Sequence, residues 1–178
     1  MNAITYKKLT LDNFNKHSLD SFRRYQVMKE ILKKIDGQYI YADNPFTDDW
    51  GIEKCQSVAE DIIDAINKGA ITYGAFYGDR VIGFAYLGTK YFGSQKQYLE
   101  LEIFQVSYEF RNKGIGKELF KLVCNDAKKS GAKKLYISAH PSKESQEAYR
   151  HLGCTFAEEI NQQLAENEPD DIQMECTL

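Results

Sequence analysis

No stretch of this chain is apolar for long enough to cross a bilayer, and no basic-then-apolar leader opens it, so neither membrane insertion nor export is expected. The four cysteines, Cys55, Cys124, Cys154 and Cys176, include no C-x-x-C pair, and His17, His140 and His151 are as widely dispersed. That scatter argues against a disulfide framework or a metal site, and for free thiols in a cytoplasmic protein. A net charge of −3 is too mild to attract nucleic acid. No internal repeat or low-complexity linker breaks the chain, so residues 1–178 are expected to form a single domain large enough to bury a core. What is present supports that: 13% aromatic residues against an ordinary 28% charged describe a folded rather than a disordered chain.

The most informative stretch runs from Leu99 to Tyr149. Tyr98 to Ser107 alternates with period two and is rich in β-formers, which predicts a strand. Ile115, Leu119, Leu122, Val123 and Ala127 then recur at helical spacing, with Gly131 placed to stop the helix. Lys134 to Ala139 reads as a short buried strand. Strand, turn, helix and strand make a crossover whose two strands should be parallel. Between the first strand and the helix lies Arg111-Asn112-Lys113-Gly114-Ile115-Gly116-Lys117. Gly114 and Gly116 lack the Cβ atoms that would block close approach. The amides of Lys113 to Lys117 are the unpaired donors of a helix start, at the positive end of its dipole, which suits a phosphate or pyrophosphate. It is not a P-loop, because Arg111 stands at the first glycine position and Glu118 at the last; nor is it a dinucleotide fingerprint, because Leu119 replaces the third glycine.

The pattern that does fit is Arg/Gln-x-x-Gly-x-Gly/Ala. With the strand before it, the helix after it, and Ser142 to Cys154 following with Tyr149 four residues before Gly153, the chain resembles the GNAT superfamily of acetyl-CoA-dependent N-acyltransferases. The resemblance implies a mixed, mostly antiparallel twisted α/β (α+β) sheet of about 6–7 strands flanked by helices. It implies acetyl-CoA as cosubstrate and a primary amine, of a small molecule, as acceptor. A peptide acceptor and a non-catalytic acyl-CoA-binding module are the alternatives, and a homodimer is compatible with the chain.

The remaining segments fill in that outline. Ile4 to Leu9 predicts a first strand. Thr10 is placed to cap a helix from Leu11 towards Lys29, with Ile31 to Ile35 as an extension and Gly37 as its end. Tyr39 to Trp50, aromatic, acidic and interrupted by Pro45, reads as a substrate-side loop. Cys55 to Asn67 carries a clear apolar helical face ending at Gly69. Ile71–Tyr77 and Val81–Leu87 flank Gly78-Asp79-Arg80 as a hairpin, and with the strand at Tyr98 they predict an antiparallel meander. Thr155–Glu159 and Asp171–Thr177 read as closing strands joined by a polar loop ending at Pro169. Eight basic residues against two acids lie between Arg111 and Lys134, whereas Glu158 to Leu178 holds seven acids and no base. Most of these charges are solvated surface. Arg111, Lys113 and Lys117 are the ones expected beside phosphates.

By the resemblance, Asn112, Lys113, Gly114, Ile115, Gly116 and Lys117 join Arg111 around the coenzyme pyrophosphate. Phe104, Gln105 and Val106 then run along the pantetheine arm, with the Val106 amide facing the thioester carbonyl. Many family members have Asn at the start of the next helix; here Ser142 and Ser145 stand in its place. Tyr149 matches the frequent general acid. Proton transfer from a phenol near pKa 10 to a thiolate near 8.5 is uphill by roughly 2 kcal/mol, so its expected role is a hydrogen-bond donor to the leaving sulfur. Attack is direct and needs no nucleophilic cysteine. An aliphatic ammonium must first lose a proton, and Glu100 and Glu102 are the candidates for base and for cation anchor. Strict alternation puts them on one face with Phe104 and Val106, opposite Leu99, Leu101 and Ile103. Glu100 also lies eleven residues before Arg111, an offset at which some family members carry a catalytic Glu.

Overall fold

The computed structural model describes residues 3–178. Nine strands and four helices follow one another as β1 (Ile4–Lys8), β2 (Tyr25–Ile35), β3 (Gln38–Asp49), α1 (Ile52–Asn67), β4 (Thr72–Tyr77), β5 (Arg80–Leu87), β6 (Tyr98–Val106), α2 (Ile115–Lys129), β7 (Lys134–Ala139), α3 (Lys143–His151), β8 (Thr155–Phe156), α4 (Gln162–Asn167) and β9 (Ile172–Thr177). Seven strands form a mixed sheet in the order β1-β4-β5-β6-β7-β9-β8. The meander β4-β5-β6 is antiparallel as its turn signals predict, and α2 carries the chain over to β7, which is parallel to β6. Among the described residues no helix is long and apolar enough to cross a membrane.

Each face of the sheet buries its own core. On one face Ile115, Leu119, Phe120, Val123 and Ala127 of α2 pack with Ile82, Ala85, Leu99, Leu101 and Leu135. On the other, Val58, Ala59 and Ile62 of α1 join Phe14, Leu19, Phe22, Val81 and Phe84. Residues of β5 divide between the two cores and alternate, except at a bulge against β4 where Ile82 and Gly83 both face α2.

The predicted helix from Leu11 towards Lys29 is not there. Residues 10–24 form successive turns, because short polar side chains satisfy the backbone locally. Asn13 Oδ1 accepts from Thr10 N at 2.9 Å, Asn15 Oδ1 from His17 N at 2.9 Å, and Ser18 Oγ from Asn15 N at 2.8 Å. Such bonds compete with helical ones. From Tyr25 the chain is extended, and β2 pairs with β3 in a separate two-stranded sheet, so the predicted loop at 39–50 is also a strand. Its turn is Asp36-Gly37, with φ of 51° and 80°, the two-residue hairpin in which both central residues take positive φ. Gly37 therefore turns a hairpin rather than stopping a helix.

A two-stranded ribbon is marginal alone; this one leans on α3 and β8. Leu32 N donates to the Pro141 carbonyl at 2.7 Å, Lys143 pairs with Glu30 at 2.8 Å, and Tyr39 stacks on Phe156 with ring centroids 4.5 Å apart. Two further differences lie near the C-terminus. The strand expected to Glu159 ends at Phe156, and the polar loop holds α4, capped by Asn161 Oδ1 on Leu164 N at 3.2 Å.

β6 carries the irregularity that matters most. Tyr86 pairs with Ile103 but Leu87 with Leu101, so Glu102 is an extra residue, a β-bulge, and alternation shifts by one across it. Before the bulge Leu99 and Leu101 face the α2 core; after it Phe104 and Val106 do, while Ile103 packs on the α1 side. Glu100 and Glu102 therefore do not share a face with Phe104 and Val106. This corrects the reading by strict alternation.

Candidate active site

β6 and β7 pair only from Tyr98/Lys134 to Glu100/Tyr136 and then part. The wedge between them opens a cleft of about 1140 Å3, lined by Leu101 to Val106, by Arg111, Asn112 and Gly114 to Lys117 of the turn, and by side chains of α3. Along its wall the β6 backbone has a free edge. Ser107 N donates to the Ile82 carbonyl at 2.8 Å, so alternate residues counted back from Ser107 bond to β5, and the amides of Phe104 and Val106 point the other way, into the wedge.

At the end of this edge the chain makes a 3-10 turn (Tyr108–Phe110) and enters the loop before α2. Asn112 and Gly114 take φ of 60° and 80°. The first helical bond is Glu118 N to the Gly114 carbonyl at 3.1 Å, and among the described residues the amides of Asn112 through Lys117 have no backbone acceptor. Ile115 is 1% exposed and anchors the helix start in the core. Its amide stays with the loop. The space above Gly114 is open, but a Cβ on Gly116 would lie 3.2 Å from Phe104 Cζ, so Gly116 also serves packing. Lys113 and Lys117 are exposed.

Arg111 behaves differently from the expectation. Its Nε donates to the Val106 carbonyl at 3.1 Å and its Nη1 to the Tyr25 carbonyl at 2.9 Å. Its amide donates to the Tyr108 carbonyl at 3.3 Å. Its guanidinium therefore ties the end of β6 to β2. Ser142 also departs: it is wholly buried, and its hydroxyl caps α3 by accepting from Ser145 N at 3.3 Å. Ser145 remains in the cleft wall, as do Phe104, Gln105 and Val106.

Tyr149 stands in the same wall, half-buried, its ring 6.2 Å from that of Phe104. Burial pushes its phenol well above the usual range, and Cys154 and Asp171 push it further, so it keeps its proton at every ordinary pH and can offer a hydrogen bond. Glu102 lies where the cleft meets a smaller pocket against Asp61 and Asp64 of α1. Glu100 lines neither space; it lies beside Glu102 where both side chains approach Gly88. Burial first, and then the charge of Glu102, push the Glu100 carboxyl up to about 7, the range in which a general base works best.

Several cleft residues carry no mark of their role in the chain's local pattern. Tyr25, Gln26 and Val27 come from β2, where helical spacing predicts a helix. Ser138 and Asp171 come from the ends of β7 and β9, where Ser138 Oγ donates to Asp171 Oδ2 at 3.2 Å. Nothing in their spacing marks them. Among the described residues no group of His, Cys, Asp and Glu is arranged to hold a metal ion.

Residues 22–154 match the family model described as "Acetyltransferase (GNAT) family". A search of curated proteins by sequence gives no match. Among solved structures the fold is similar to nourseothricin acetyltransferase, at 16% identity over 98% of both chains with a TM-score of 0.72. It is also similar to a Bacillus anthracis protein described as a streptothricin acetyltransferase, in complex with acetyl coenzyme A, at 18% identity over 99% of both chains and a TM-score of 0.73. An aminoglycoside 6'-N-acetyltransferase complexed with coenzyme A aligns over 68% of this chain and 79% of its own, at 19% identity and a TM-score of 0.54.

Proposed function

The chain belongs to the GNAT family of acetyltransferases, and from that premise we propose that it transfers the acetyl group of acetyl-CoA to a primary amine of a small molecule by direct attack. One observation carries this reading: the unpartnered amides from Asn112 to Lys117 open onto the same cleft as the free edge of β6. A pyrophosphate on the first and a pantetheine arm along the second would bring the thioester to the Phe104–Val106 segment. The Val106 amide then stabilises the oxyanion. Structures similar to this one bear the names of small-molecule acceptors, nourseothricin, streptothricin and aminoglycosides, which supports the acceptor class.

In this mechanism Glu102 holds the acceptor ammonium and Glu100 takes its proton. The neutral amine attacks the thioester carbonyl; the new C–N bond forms and the C–S bond breaks. The nitrogen then sheds its second proton, which reaches the leaving thiolate through water while that sulfur takes a hydrogen bond from Tyr149. Ser145 and the exposed Lys113 and Lys117 contact the coenzyme, while Arg111 positions the strand that presents Val106. Calorimetric titration with acetyl-CoA, followed by a thioester-cleavage screen over an amine library, tests the proposal. Absence of acetyl-CoA binding would overturn it. Binding with cleavage only when peptides are offered would move the acceptor to a protein.

A further inference from the structure

Three cysteines far apart in sequence share one core. Cys154 and Cys176 are buried in the cluster beneath α2, at 3% and 8% exposure, and Cys124 of α2 packs against it. All are free thiols. The register of the two closing strands fixes how the first two stand. Thr155 pairs with Glu175 and Phe156 with Met174, and Ala157 N donates to the Gln173 carbonyl directly opposite at 3.0 Å. Hydrogen-bonded and non-hydrogen-bonded pairs alternate along an antiparallel ladder. Counting back from 157/173, the pair 155/175 is bonded and 154/176 is of the narrow, non-bonded kind. Opposed Cα atoms at such a position lie about 4.5 Å apart, within the roughly 4.4 to 6.8 Å that a disulfide spans.

We propose that Cys154 and Cys176 are a thiol oxidation site, which a peroxide converts to a disulfide bridging β8 and β9. Cys176 is the attacking thiol. Of the two it is the nearer to the surface, at 8% against 3% exposure, and its Sγ donates to the Thr177 carbonyl at 3.7 Å. Its sulfur attacks one peroxide oxygen; the S–O bond forms, the O–O bond breaks, and the departing hydroxide takes a proton to become water. Cys154 then loses its proton and attacks the Cys176 sulfur, closing the S–S bond and releasing a second water. Two thiols are oxidised by two electrons, and the peroxide is reduced to water. Access comes from the sheet edge: β8 is the outermost strand, only Thr155 and Phe156 long, and both are exposed, so it is of the kind that opens locally. The bridge would reach the active site, because Cys154 N donates to the Tyr149 carbonyl at 2.9 Å. It would fasten the end of α3 to β9.

The test is intact mass and peptide mapping of the whole protein after hydrogen peroxide, with reductant removed, for wild type, Cys124→Ser and Cys176→Ser. The expected result is a loss of two hydrogens and a peptide cross-linked through Cys154 and Cys176, in wild type and Cys124→Ser alike. Dithiothreitol should reverse it, Cys176→Ser should lack it, and the oxidised form should melt at a higher temperature because the bridge closes the loop between them. Oxygen addition without a cross-link, a cross-link through Cys124, or cross-linking only in denaturant would overturn the proposal. If Cys176→Ser misfolds, the wild-type map decides alone. None of the three readouts depends on acetyl transfer.

Discussion

Glu100→Gln separates what the fold does to one carboxyl from what the reaction asks of it. Raising that carboxyl from 4.5 to about 7 corresponds to about 3 kcal/mol between its two protonation states, an upper value because solvent reaches part of the group. Between these limits the folded chain keeps the proton while the unfolded chain releases it. The native state then binds more protons, so stability falls as pH rises through the window. Gln cannot ionise. The variant should match wild type below pH 4.5 and exceed it by up to about 3 kcal/mol above pH 7, read by urea unfolding at pH 4 and pH 8. In kinetics, a base must be deprotonated, so wild-type kcat/KM should climb about tenfold per pH unit below the inflection near 7 and then level. Glu100→Gln should lose that inflection and roughly 100-fold in rate. Glu102→Gln removes the neighbouring charge, so the inflection should move to lower pH, yet stay above 4.5 because burial is the larger cause. A stability difference independent of pH would show that Glu100 is an ordinary carboxyl. An inflection that survives in Glu100→Gln would remove it from the reaction.

Three other substitutions probe the cleft. Gly114→Val should abolish acetyl-CoA binding in calorimetry, since it puts a β-branched residue at φ 80° over the free amides; wild-type affinity would show that the loop carries no ligand. Tyr149→Phe should lower kcat with little change in the KM for acetyl-CoA, and an unchanged kcat would return Tyr149 to packing. Arg111→Ala removes two charge-assisted bonds to carbonyls, at 3.1 and 2.9 Å, and should cost about 2 to 4 kcal/mol in denaturant unfolding; a loss below about 0.5 kcal/mol would show the tie to β2 to be idle.

What could be read in advance follows from the range of the forces. The meander, the crossover and the glycine loop are written in local periodicity and turn residues, so β4 to β7 appear where Ile71 to Ala139 predict them. Residues 10–24 differ from the expectation because Leu19 and Phe22 fit a helix face or turns around a core equally well, and Asn13, Asn15 and Ser18 decide for turns. Asp36-Gly37 is a legible hairpin signal that competes with the helix stop a Gly also supplies. The bulge at Glu102 had no local mark, since strict alternation fits the same letters. The motif places Arg111 beside phosphates, but a carbonyl of a distant strand claims its guanidinium.

The extra residue in β6 also separates what can vary from what cannot. On one side of the strand Phe104 and Val106 answer to α2 and to the turn at Gly116; on the other Glu100 and Glu102 answer to Tyr86 and to Asp61 and Asp64 of α1. Without the bulge these demands would fall on one row of side chains, and any change for a new acceptor would disturb the coenzyme wall. With it, the two rows are independent lineages of substitution on a single backbone. Exchanging Glu102, Asp61 or Asp64 can retarget the proposed acceptor side while the loop, the free edge and Tyr149 stay as they are.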